Sequence, residues 1–182
     1  MTALEAALRR RSQSKVTDAA PDHAELARYV AAAASVADHS GLRPWRLIEL
    51  RGDARRRLGD AFVAASGLEG PHAEKLAAKP LRASLLVAVV ATIQPSFKVP
   101  DWEQEAVASG VAHLLSLVLD EAGWGVMWRT GGHTRAPEVA VMHGLRENER
   151  LLGWLYVGGV PERERSDRVR RFDADAVLTV LE

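Results

Sequence analysis

The sequence contains no cysteine, which excludes a disulfide scaffold, a thiolate nucleophile, an iron–sulfur centre and any cysteine-ligated zinc site. Such a composition suits a reducing compartment, and a cytoplasmic location is the expectation. Net charge is missing as well: 24 Lys and Arg balance 24 Asp and Glu, so no overall field gathers a polyanion at long range and nucleic acid is not an expected partner. Long apolar runs are absent too. Leu85–Ala91 and Val111–Leu119, the second interrupted by His113 and Ser116, fall well short of the ~20 residues that span a bilayer. No apolar run follows Arg9–Arg11, so neither a signal peptide nor a membrane partner is expected. There is no G-x-S-x-G elbow and no G-x-G-x-x-G, and the six histidines show neither H-E-x-x-H nor an i, i+4 pair. Nucleophilic hydrolysis and metal chemistry therefore have no local support, and no metal site is expected.

What is present suits one domain. A chain of 182 residues, 47% of them hydrophobic, can build one real core. Apolar spacing predicts short helices over Thr2–Arg11 and, capped by Asp22, from there to about Ala37, with longer ones over Ala54–Ser66 and Asp101–Gly123. Further short helices are expected at His72–Ala78 and Ala136–His143. Strands are expected at Pro44–Leu50, Ser84–Ile93, Trp124–Trp128 and Leu151–Val157, and Ala176–Leu181 is weakly β-like. The nearly continuous apolar run Ser84–Ile93 reads as a strand buried on both faces. The first half of the long helix carries Ala106, Ala108, Ser109, Gly110 and Ala112, small residues that allow something to pack close. Strands alternating with helices predict a layered α/β or α+β domain.

Few residues suggest chemistry singly. Arg9-Arg10-Arg11-Ser12-Gln13-Ser14-Lys15 sets guanidinium forks, hydroxyls and an ammonium at one turn, a set able to hold a phosphate monoester. On composition alone the simpler reading is a solvated helix end followed by a loop. Pro44-Trp45 is a strand start with a core aromatic, and Trp128-Arg129-Thr130-Gly131 a strand end turning outward. The pairs at Gly123–Gly125 and Gly131-Gly132 read as turns.

In order along the chain, these blocks resemble the FMN-dependent nitroreductase family, most closely its short, YdjA-like branch. The opening signature is matched by Arg10–Lys15 and the second block by Ala37–Trp45. Lys98–Glu105 is similar to a stretch of the short branch, Gly123–Gly131 to the late block, and Gly153–Gly159 with Pro161 to the closing strand and turn. The resemblance implies an α+β fold, a mixed β-sheet flanked by helices, in an intertwined homodimer with two FMN sites at the interface and Asp101–Gly123 as its central helix. It implies FMN contacts from Arg10, Arg11, Ser12, Ser35, His39, Trp128, Arg129 and Thr130, with Arg10 or Lys15 also placed to stabilise charge near flavin N1. Two positions depart from the pattern. Arg43 stands where the family's second block carries a glutamine, exchanging an amide that reads the ring edge for a permanent cation. Ser35 replaces a longer basic residue, so one phosphate contact is lost or supplied by another arginine; Arg168, Arg170 and Arg171 are the C-terminal candidates. The implied activity is NAD(P)H-dependent oxidoreduction: hydride passes from NADH or NADPH to flavin N5, then to a nitroaromatic, quinone or similar flat small-molecule acceptor in ping-pong fashion. No catalytic side chain is required. The alternative is a non-catalytic protein that binds or stores FMN.

Overall fold

In the computed structural model, residues 2–162 and 172–181 are described. Helices α1 (Ala3–Arg9) and α2 (His23–Ala33) lead into strand β1 (Trp45–Leu50), followed by α3 (Asp53–Ser66), α4 (Gly70–Ala77) and β2 (Leu85–Thr92). Then come the long helix α5 (Asp101–Glu121), β3 (Trp124–Arg129), α6 (Pro137–Met142) and β4 (Glu149–Gly159). Strand alternation divides the core in two. On β2, Leu86, Ala88 and Val90 face α3, α4 and α6, where Leu58, Phe62, Leu76 and Val139 meet them. Leu85, Val87 and Val89 face α2 and α5, packing with Leu26, Val111, Leu115 and Leu119. Both faces of β2 are thus dry, which is why its sequence is an unbroken apolar run. The architecture is α+β, as the resemblance implied.

The sheet itself departs from the mixed one expected. Its order is β1-β2-β4-β3, and all three pairings are antiparallel. The reason is topological: the α5 crossover returns β3 in the direction of β2, but β4 enters between them and runs against both, so no parallel neighbours remain. Ala176–Leu181 forms no strand either. Asp175–Val177 is a turn and the rest is irregular, with Val177, Leu178, Val180 and Leu181 each at least 70% exposed. Its β-favouring residues meet no sheet edge of this chain. Helix α2 also stops earlier than its apolar spacing suggested, at Ala33, and the chain turns so that Val36 lands on Gly110 of α5.

The small residues of α5 serve several neighbours. Ala108 and Ala112 are fully buried within this chain, and Gly110 leaves room for Val36, whose methyl would lie 2.6 Å from a Cβ there. Ala106 stays exposed. Gln104, wholly buried, accepts from the Gln94 N–H (2.8 Å) and donates to the carbonyls of Gln94 (2.9 Å) and Val99 (3.1 Å). This clamp fixes the loop before α5 and with it the start of the helix.

Candidate functional site

Residues 10–19 follow α1 and run along the sheet. The Gln13 N–H donates to the Val126 carbonyl (2.8 Å), that of Thr17 to the Gly159 carbonyl (2.8 Å) and that of Gly159 to the Ala19 carbonyl (2.8 Å). Two glycines admit this segment. A Cβ at Gly125 would sit 2.7 Å from Gln13, and one at Gly158 would sit 2.7 Å from the Thr17 carbonyl oxygen. These are strand positions of β3 and β4, so the turn reading applies to Gly123 (φ +91) but not to Gly125. The segment carries Arg9–Arg11 to Asp120, in the last turn of α5. The Arg11 N–H donates to the Asp120 carboxyl, and the charges of Arg10, Arg11 and Arg9 act on it; burial outweighs them and raises its pKa. Arg10 and Ser12 are exposed beside this cluster, a cationic and hydroxyl-bearing surface suited to a phosphate.

The other predicted contacts gather at the opposite end of α5. His39 Nδ1 lies 2.8 Å from Glu103 Oε1. The loop is tight: Ser40 (φ +63) and Arg43 (φ +48) both take left-handed backbone, and the Arg43 N–H donates to Asp38 Oδ2 (2.7 Å). Asp38 Oδ1 is buried with no partner among the described residues, beside a groove formed by Val36–His39, Glu103, Ala106 and Val107. Ser35 is exposed just past the end of α2.

The third group does not act as one block. Trp128 and Arg129 project to opposite faces of the sheet, as neighbours on a strand must. Trp128 packs edge-on to His113 of α5 (centroids 5.1 Å, 84°), whereas the Arg129 guanidinium lies 5.0 Å over the Tyr156 ring on the α3 side. Trp128 Nε1 and Arg129 Nε are buried donors without partners among the described residues. Thr130 is exposed. Beneath the turn lies Gly153 (φ +138), where a Cβ would come within 2.4 Å of the Arg129 carbonyl oxygen and 2.7 Å of Trp128 Nε1.

The nitroreductase family model matches residues 7–159. The chain belongs to the nitroreductase family. Among its relatives is the Escherichia coli K12 protein YdjA, provisionally named an NAD(P)H nitroreductase, which is 31% identical over 98% of this chain and 99% of its own. A nitroreductase-like family protein from Bacillus cereus superimposes with a TM-score of 0.87 at 21% identity, covering 100% of this chain and 97% of the other. The FMN and NADPH-dependent nitroreductase NfnB of Sphigopyxis sp. strain HMH gives 0.77 at 20% identity, covering all of both chains.

Within this nitroreductase-family fold, one chain brings Arg10, Arg11 and Ser12 together near Asp120 and places His39 beside Glu103. About 25 Å of helix separates Glu103 from Asp120, at ~1.5 Å per residue. Reading by sequence named the family blocks but missed the residues that orient them: Asp120 for the arginines, Glu103 for His39, and Gly125, Gly153 and Gly158 as clearances. Glu103 lay within the recognised Lys98–Glu105 block, and the glycines within the late and closing blocks, so the signal was position inside a motif. Arg168, Arg170 and Arg171 lie outside the described residues. Among the described residues no group of three His, Asp or Glu could hold a metal ion, and no helix is long and apolar enough to cross a membrane.

Proposed function

We propose that this chain is an FMN-dependent NAD(P)H oxidoreductase of the nitroreductase type, acting as a homodimer whose two flavin sites are each built from both chains. The observation that carries the reading is the placement of phosphate-suited Arg10 and Ser12 at one end of α5 and His39 at the other. One flavin cannot touch both ends of a 21-residue helix, but an antiparallel pair of such helices sets one chain's Arg10 end against its partner's His39 end. The outward Trp102 and Ala106 of α5 lie on a face that such a pairing would cover.

The donor set fits the cofactor. Arg10, Arg11 and Ser12 would hold the phosphate; Ser35 and His39 would come from the second chain. The unpartnered Arg129 Nε and the backbone of the Trp128–Thr130 turn would supply donors to the ring edge. FMN, when bound, supplies the redox chemistry, accepting a hydride from NADH or NADPH and delivering it to a nitro compound, quinone or similar flat acceptor. The protein's part is to hold the ring system, to place positive charge near its electron-rich edge, and to keep Arg43, a permanent cation, at the rim.

The test is an absorbance spectrum of protein incubated with FMN and desalted, followed by anaerobic NADH and then NADPH. Retained flavin that bleaches supports the oxidoreductase. Retained flavin that stays yellow favours storage or another electron donor, and no retained flavin removes the site. For the two-chain site, Arg10→Ala and His39→Ala protomers are co-expressed: mixed dimers carry one intact site and bind FMN there more tightly than either parent does. A monomer that retains FMN in light scattering contradicts it.

A further inference from the structure

Behind the wall of the proposed flavin site, at the end of α6, stands His143. It reaches the site through Trp154. Trp154 pairs with Arg129 across β4 and β3, so the two side chains share a face of the sheet, and both line the cavity of about 160 Å³ under the Arg129–Thr130 turn. The indole is buried. Its Nε1 donates to His143 Nε2 (3.0 Å), and His143 Nδ1 lies 2.8 Å from the Val139 carbonyl oxygen. A carbonyl only accepts, so Nδ1 carries a proton; Nε2 accepts from the indole, so it carries none. The ring is therefore neutral and held in one tautomer.

The backbone leaves the aim of Trp154 to its side-chain partners. Val89 pairs with Gly153 and Val90 with Leu151, so Leu152 is an extra residue, a bulge, just before Gly153 (φ +138) and Trp154. Bulges re-aim the side chains beside them. Phe62 of α3 meets the indole edge-on (5.3 Å, 76°), and the directional contact is the bond to His143. Burial, with the charge of Arg46 on β1 added to it, holds the His143 pKa below the usual imidazole value, although the Val139 carbonyl pulls the other way. Arg46 is itself fixed by Glu149 (2.6 Å). Around the pair, His133 stacks on Phe62 (4.6 Å), Tyr156 of β4 is pushed up to about 12 by burial and stays neutral, and Glu138 is exposed in the first turn of α6. None of these acts as a counter-charge on the ring. A second proton on His143 goes to Nε2, the atom that accepts from Trp154, so two donors then face each other and both lose a partner.

We propose that His143 is a positioning residue for the flavin site: as a neutral ring it latches Trp154 beneath Arg129, and on protonation it releases Trp154, so that the site loosens and FMN leaves more readily at acidic pH. The latch stands on this geometry. Its consequence for FMN rests on the function proposed above.

Protein carrying nitrogen-15 in its five tryptophans reports each indole N–H by NMR, and Trp154→Phe identifies the signal of Trp154. In flavin-free protein that signal is expected to move and to lose protection from solvent exchange as pH falls from 7.5 to 5; a signal constant over that range overturns the latch. FMN Kd is measured at both ends of the same range. The ratio of Kd at pH 5 to Kd at pH 7.5 is expected to be about 5-fold larger for the parent than for His143→Gln, whose amide oxygen accepts the indole N–H at either pH, a difference on the scale of one hydrogen bond. Equal ratios overturn the positioning role. His143→Leu supplies no acceptor at any pH, so at pH 7.5 it is expected to bind FMN about 5-fold more weakly than His143→Gln; equal affinity of these two variants also overturns that role. Protein that retains no FMN at either pH refutes the proposed function, and the Trp154 signal of the flavin-free protein still decides the latch.

Discussion

At the N-terminal end of α5, Glu149 of β4 is a carboxylate fully enclosed and fully paired; at the C-terminal end, Asp120 is half-buried among three arginines and still incompletely compensated. Glu149 receives Arg46 Nε (2.6 Å) and Nη2 (2.8 Å), Arg146 Nη2 (2.6 Å) and the Arg146 N–H (2.9 Å). The Arg46 hydrogen bonds dominate and hold its pKa far below the usual carboxylate range. The next residue, Arg150, reaches Asp101 (2.9 Å) and Glu105 (2.5 Å) and ties the strand to the first turns of α5. Asp120 moves the other way, raised by burial despite Arg9–Arg11. One end spends its arginines on the fold. The other presents Arg10 outward, where a ligand phosphate can use it.

The largest expected effect breaks the first half of this contrast. Glu149→Gln removes the charge on which two guanidiniums, the Arg146 N–H and the Thr92 hydroxyl converge and leaves Arg46 uncompensated, costing about 3 kcal/mol of stability. The sign follows from linkage. A folded pKa below the unfolded value contributes stability above pH ~4.5 and loses it as pH falls further. Urea midpoints measured from pH 7 to pH 3 should therefore drop steeply for the parent and less for Glu149→Gln; parallel curves would show that Glu149 is not the group responsible.

Gly158→Ala tests how the other end is built. The added methyl meets the Thr17 carbonyl oxygen at 2.7 Å and Val16 Cβ at 2.8 Å, backbone and stem atoms that cannot swing aside. Overpacking of this kind costs ~1–3 kcal/mol, and the segment bearing Arg10 and Ser12 should shift with it. FMN retention is expected to fall much more than the thermal midpoint. Retention unchanged in a folded variant would detach the segment from the site.

Arg10→Ala is smaller and more local. It should leave unfolding unchanged and weaken FMN binding by on the order of 1.5–3 kcal/mol, the worth of a charged hydrogen bond, read as a roughly 10- to 150-fold rise in Kd. Unaltered FMN affinity would remove Arg10 from the phosphate site.

How much of this was legible depended on range. The run Leu85–Ala91 announced a strand dry on both faces, because each of its residues packs on one side or the other of the sheet. Arg10–Ser12 and His39 were legible through local motifs, but their placement at opposite ends of α5 was not, since it depends on how β4 inserts between β2 and β3. Strand periodicity already separates Trp128 from Arg129, although their adjacency in one motif suggests a shared target. The roles of Gly125 and Gly158 were hidden, because a clearance is defined by the segment that fills it. Ala176–Leu181 has β-favouring residues but no partner edge in this chain, and propensity cannot supply one.

Asp120→Asn gives the smallest and most discriminating change. Asparagine can still accept the Arg11 N–H, while the partly buried negative charge is gone. A folded pKa raised above the unfolded value means that the native state holds the proton more tightly, so the parent loses stability as pH rises through that range. The variant should then match the parent near pH 3 and exceed it at pH 7, by about 0.5 kcal/mol or less because solvent screens a half-exposed group. The same substitution removes the Asp120 charge from beside the arginine cluster, so FMN should bind at least as tightly as before. A variant less stable at pH 7, with weaker FMN binding, would mean that Asp120 holds the arginines in place, as Glu149 holds Arg46, and the contrast between the two ends of α5 would disappear.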